Sequence, residues 1–221
     1  MTAYKYQALL AALLAVIVAY PALRGPAGSP GLAWAARGAV VVTAVVVVFG
    51  DRRLRPWVAL LTIPVVVGGG AQLLAPDEPA AAAAGQLAVV AFHFTVLVAL
   101  LRGIRREQTI TTDAVAAALC GYLLLGLAFG HTYGALATAV PGSFAGLDPA
   151  LGPDDRQLRL TYFSFTTLTT LGYGDITPAR DTARALVILE AVTGQCYLAV
   201  LVADLVGKRL ATATTPTPPA G

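Results

Sequence analysis

Residues 167–178 read TLTTLGYGDITP, a run whose residue types fit one task, holding a desolvated cation in a cage of oxygens. A segment whose successive carbonyls all point the same way must alternate between right- and left-handed backbone conformations. Glycine takes the left-handed one without a Cβ clash, so Gly172 and Gly174 permit such a strand. The carbonyls of Thr170, Leu171, Gly172 and Tyr173, with the Thr170 hydroxyl, then supply the oxygens. The side chains of Leu171 and Tyr173 point away from that path. A glycine-rich turn or a phosphate-binding loop uses similar residues, but no strand precedes this run and no Lys-Ser or Lys-Thr pair follows it.

Such a segment needs elements that hold it, and the composition says what surrounds them. The chain has 221 residues, 57% hydrophobic and only 12% charged, against roughly 25% charged in a soluble domain. Six apolar runs, at 6–23, 35–50, 57–75, 81–101, 114–137 and 184–206, approach the length that crosses a bilayer as a helix. The third is interrupted by Pro64 and Gly68 to Gly70, breaks that neighbouring helices can satisfy. No clean cleavage site follows the first run, so it reads as a helix and not as a signal peptide. Cys120 and Cys196 sit inside apolar runs with no His or Cys cluster beside them, which predicts neither a disulfide nor a metal site.

Charge gives the topology. Lys5, Arg52, Arg53, Arg55, Arg102, Arg105, Arg106, Lys208 and Arg209, nine of the fifteen basic residues, fall in loops on one side. The positive-inside rule then puts both termini in the cytoplasm of a multi-pass protein of the plasma membrane. The polar bridge 102–113 reads as an interfacial linker, dividing the chain into a four-helix module over 1–106 and a second unit over 107–210, with a short flexible tail over 211–221. In the second unit a Gly- and Pro-rich loop leads to a short segment, 156–169, with Asp154 and Asp155 at its start. Acidic residues there favour a helix N-terminus, and a helix of that length, some 21 Å, is too short to span. It must enter part-way and return through 170–178, which is tolerated where backbone lines a water path.

Outer helix, short half-helix, TTLGYGD and inner helix together resemble the tetrameric potassium channels, over roughly residues 114–210. The resemblance implies an all-α membrane protein with six transmembrane helices, a re-entrant pore helix and a selectivity-filter loop, assembled as a homotetramer in the lipid bilayer. It implies K+ bound by stacked oxygen rings from Thr170, Leu171, Gly172 and Tyr173, with Gly174 completing the filter. Tyr162 and Phe163 resemble the aromatic cuff that braces the filter tyrosine, with Thr166, Thr167 and Asp175 as further support. Leu171 stands where valine is commoner, and Thr166 where several members carry a glutamate that pairs with the aspartate after the filter. A carboxylate pair therefore does not hold Asp175. Gly194 stands where the inner helix has a hinge glycine, although close helix packing explains it equally well.

On the last helix Gln195, Leu198, Ala199, Val202 and Val206 share a face assigned to the cavity, while Glu190, Tyr197 and Asp204 lie opposite. An ionisable residue in a spanning helix is a functional candidate. Glu190, near the filter's level, is predicted to bond to pore-helix hydroxyls such as Thr166 or Thr167, and Asp204 to pair with a basic neighbour such as Lys208. His93 reads as a buried neutral histidine bonded to a neighbouring helix.

Voltage sensing needs several charges in the field, each worth about 2.3 kcal/mol per 100 mV. Residues 81–101 contain no Lys or Arg, so little voltage dependence is expected. The expected function is passive, potassium-selective conduction, with no cofactor, no nucleic acid and no cytosolic ligand-binding domain. No nucleophile–base pair argues for an enzyme. A potassium transporter would carry several degenerate filter loops in one chain, and a non-conducting receptor or scaffold would not need intact Thr170, Gly172 and Gly174.

Overall fold

The computed structural model describes residues 5–23, 79–106 and 111–213, with positions 41–42, 44–45, 56, 60, 62–63 and 65 between them. The runs predicted at 35–50 and 57–75 lie largely outside the described residues, as does the tail. Five helices are described: α1 (Lys5–Leu23), α2 (Pro79–Arg106), α3 (Thr112–Ala139), α4 (Pro153–Leu168) and α5 (Asp181–Ala213). Strand β1 (Phe144–Ala145) follows α3, and β2 (Thr177–Pro178) precedes α5. Among the described residues, stretches of α2, α3 and α5 are long and apolar enough to cross a membrane, and the apolar part of α1 is shorter, at Tyr6–Val18.

Two element boundaries differ from the sequence reading. Helix α2 runs on through Arg102 and Arg105 to Arg106, because arginine is a good helix former and nothing there breaks the chain. At the far end of the expected bridge Thr111 is the N-cap of α3, its hydroxyl accepting from Ala114 N at 3.0 Å. Helix α4 begins earlier than 156, with Gly152 as N-cap, Pro153 in the first turn, and Asp154 and Asp155 beside it. Proline is preorganised for that position because its missing N–H would have no partner there. At 16 residues α4 is about 24 Å long, short of a hydrocarbon core of about 30 Å.

Helix α3 is the hub. On one side it packs α1 and α2 through Leu9, Leu13, Phe92, Leu100, Ala117 and Leu124, all essentially inaccessible. The first helix and α2 thus share a core with the second unit and do not stand apart from it. On its other side α3 receives α4 along Gly126, Gly130 and Gly134. A Cβ at these positions would meet the Phe165 ring at 2.6 Å, Thr161 Cα at 2.9 Å and Gln157 Oε1 at 2.1 Å, respectively. The α3 glycines recur every fourth residue, as do Gln157, Thr161 and Phe165, so an antiparallel ridge of α4 lies in a glycine groove of α3. Where lipid removes the hydrophobic drive between helices, such close backbone approach supplies the packing.

Helix α5 is different. Ile188, Leu189, Val192, Val200, Val202 and Val206 are each more than half exposed, an apolar surface that the packing of the described residues leaves open.

Candidate functional site

The 170–174 segment leaves α4 through a defined helix end. Thr170 N donates to Thr167 O at 2.9 Å and Leu171 N to Thr166 O at 2.8 Å, the paired bonds of a Schellman cap. Gly172 N reaches the same Thr166 carbonyl at 3.0 Å. Thr166 and Thr167 therefore support the segment through backbone carbonyls, while the Thr166 hydroxyl donates to its own helix at Phe163 O.

That cap places Thr170 at φ 61°, the position usually given to glycine, and Gly172 and Gly174 follow at φ 51° and 79°. Among the described residues Thr170 is the only non-glycine with positive φ. A left-handed conformation costs an L-residue about 1–2 kcal/mol, strain of the kind that concentrates at functional sites. Left-handed residues thus alternate at 170, 172 and 174, the geometry argued from the glycine spacing.

The side chains of Leu171 and Tyr173 are exposed. Tyr173 stacks on Tyr162 of α4, ring centroids 6.4 Å apart and planes within 8°. The Tyr162 phenol lies close enough to the Asp175 carboxylate to feel its charge. Phe163 does not join them. It turns into a separate aromatic cluster with Tyr133 and Phe144, centroids 5.4 and 5.6 Å away, because adjacent residues of a helix point about 100° apart.

Behind the exit, the loop before α4 grips the segment after it. Strand β1 pairs with β2 in the register Phe144↔Pro178 and Ala145↔Thr177. Gly146, at φ +82°, lets the Asp175 carbonyl approach to within 1.9 Å of where a Cβ would stand. Sequence reasoning treated this loop as a spacer; its signal was a glycine next to a short Phe-Ala strand.

Three hydroxyls tie the helices behind α4. Tyr122 Oη donates to Leu168 O at 3.0 Å, Ser164 Oγ contacts Gly126 O at 2.7 Å, and Tyr197 Oη donates to Ala118 O at 2.7 Å. Glu190 is fully buried, but its partners are Tyr133 and Ser164 and not Thr166 or Thr167. Ser164 lies two residues earlier, on the opposite face of α4 from Thr166.

Gly194 packs against the end of α4, where a Cβ would meet Leu168 Cδ1 at 2.6 Å and Leu168 O at 3.1 Å. Close packing is therefore the role visible for this glycine. Gln195, Leu198, Ala199, Val202 and Val206 are all exposed in the single chain. Asp204 lies 2.8 Å from Lys208, whose ammonium also donates to Ile104 O at 3.1 Å.

His93 Nδ1 bonds Val89 O of its own helix at 2.8 Å, and the contact with a neighbouring helix is ring stacking on His131, centroids 5.6 Å apart. Sequence reasoning missed His131, which also contacts Gln86, and it missed Tyr122, Tyr133 and Ser164. Of the residues it overlooked, only the glycine repeat at 126, 130 and 134 carried a readable signal, the small-residue spacing of membrane helix contacts.

The ion-channel family model matches residues 153–209, from the start of α4 into the end of α5. That stretch is therefore similar to ion-channel domains. A stretch of 85 residues, 38% of this chain, is 36% identical to a protein of Oryza sativa subsp. japonica described as two pore potassium channel c, and it covers 17% of that protein. No solved structure matches. With the long apolar helices, these similarities make the chain a membrane protein and point to a channel, not an enzyme.

Proposed function

We propose that this chain is the subunit of a homotetrameric, potassium-selective channel that conducts K+ passively across the plasma membrane, with weak or no voltage dependence. The observation that carries the reading is the alternation of left-handed residues at Thr170, Gly172 and Gly174, directly after a short capped helix. Backbone of that form can turn the carbonyls of Thr170, Leu171, Gly172 and Tyr173 toward one axis, and those carbonyls replace the hydration shell of K+. One filter copy per chain calls for several chains around a cyclic axis. The exposed apolar surface of α5 supports such assembly, with Gln195, Leu198 and Val202 toward the cavity. In this reading α4 enters the membrane part-way and directs its negative C-terminal end to the ion.

The absence of Lys and Arg from 82–101 supports weak voltage dependence. The likeness to a potassium channel supports the choice of ion. The test is reconstitution of the purified protein in planar bilayers under opposed K+ and Na+ gradients. A reversal potential at the K+ value is expected, and one near zero overturns the selectivity.

A further inference from the structure

Glu190 is fully buried on α5, and its carboxyl touches two other helices. Tyr133 Oη of α3 donates to Oε2 at 2.5 Å, and Oε1 meets Ser164 Oγ of α4. The same Ser164 Oγ lies 2.7 Å from the Gly126 carbonyl oxygen of α3. Each of these contacts needs a hydrogen. A hydroxyl has one to give and a carbonyl has none. If Ser164 gives its hydrogen to Gly126, the contact with Glu190 must take its hydrogen from Glu190. If Ser164 gives it to Glu190 instead, two oxygens face each other 2.7 Å apart at Gly126 with nothing between them.

An ionised Glu190 therefore leaves two hydrogens for three contacts, and a protonated one supplies the third. Tyr133 cannot make up the deficit, because its hydrogen goes to Oε2. Tyr122, the other described titratable group near enough to feel Glu190, commits its hydroxyl to Leu168 O. No described cation forms an ion pair with Glu190, and an unpaired buried carboxylate is costly.

We propose that Glu190 is a neutral carboxylic acid at neutral pH that donates from Oε1 to Ser164, completing a one-way chain from Tyr133 through Glu190 and Ser164 to Gly126. Every link then has one donor and one acceptor, an arrangement in which successive bonds polarise one another. The chain pins α4 between α3 and α5 just before Leu168, where Tyr122 and Gly194 also hold it. Glu190 is thus a positioning residue that acts on the 170–174 segment through Ser164. That last step rests on the proposed filter; the bound proton does not.

Infrared difference spectroscopy of the purified full chain at neutral pH tests the proton without any current. Wild type minus Glu190→Gln is expected to show the carbonyl stretch of a protonated acid. Ser164→Ala is expected to move that band to higher frequency, since the acid proton loses its acceptor. Glutamine can copy the acid, its amide donating to Ser164 and its oxygen accepting from Tyr133. Current in Glu190→Gln should therefore stay within about twofold of wild type, whereas Glu190→Ala, which leaves the Tyr133 hydroxyl without an acceptor and Ser164 without its donor, should fall roughly tenfold. A carboxylate band in place of the acid band, or an acid band unmoved in Ser164→Ala, overturns the proposal. If Glu190→Gln does not fold, Ser164→Ala alone decides by the same band. A channel that conducts without K+ selectivity would overturn the filter and leave the acid band standing.

Discussion

Replacing Gly130 by alanine tests whether the glycine groove of α3 sets the position of α4. The new Cβ would stand 2.9 Å from Thr161 Cα and 3.0 Å from its hydroxyl. Carbon atoms rest at about 3.5–4.0 Å, so the helices must part by roughly 0.6–1.1 Å along that line. The obstacle is backbone, and it cannot swing aside. Overpacking of this kind costs about 1–3 kcal/mol, and alanine returns up to about 1 kcal/mol of helix propensity. The net expectation is a loss of about 1–2 kcal/mol.

Gly134→Ala is the internal control. There the nearest atom is Gln157 Oε1, the far end of a flexible side chain; that oxygen has no hydrogen-bond partner to lose, and the amide nitrogen gives up only a 3.2 Å bond to Thr161 Oγ1. It can rotate away, so stability should hold or rise slightly. Thermal unfolding of the detergent-solubilised protein reads both. At about 2–4 °C per kcal/mol for a chain of this length, Gly130→Ala should lower the midpoint by roughly 2–8 °C while Gly134→Ala leaves it nearly unchanged. Equal midpoints, or the reverse order, would refute the groove as the element that seats α4.

Other perturbations reach the site from different directions. Gly172→Ala forces a Cβ into φ 51°, at about 1–2 kcal/mol, and should shift the bilayer reversal potential from the K+ value toward zero; an unchanged potential would argue against a backbone filter. Tyr162→Phe keeps the stack on Tyr173 but removes the hydroxyl that lies near Asp175, so K+ current should decay faster when external K+ is lowered, with decay identical to wild type as the contrary result. Asp204→Asn loosens a half-exposed ion pair with Lys208, and the unfolding midpoint should change by less than the equivalent of about 1 kcal/mol.

The local geometry that sequence reading anticipated lies where the chain dictates its own conformation. Gly172 and Gly174 have positive φ because only a residue without Cβ takes it cheaply, and that is visible in two letters. Asp204 and Lys208, four apart on a helix, must share a face. Helix ends were less legible: α2 outran its apolar run because charge does not end a helix, and Pro153 announced the start of α4 more reliably than the aspartates after it. The resemblance to an aromatic cuff groups Phe163 with Tyr162, whereas helical geometry sends the two rings to different neighbours.

Sequence by itself determined that the chain lives in a membrane, where the long helices near 81–101, 114–137 and 184–206 run, and that residues 170–174 can adopt an alternating backbone, since these follow from composition and from the steric limits of single residues. Tertiary structure alone decided what holds that segment. Tyr133 and Ser164 meet Glu190 across 57 and 26 residues, Gly146 reaches Asp175, and Gln157, Thr161 and Phe165 find their three glycines. Such pairings depend on how helices rotate and cross, which is set by packing between distant parts of the chain and is written in no short stretch of it.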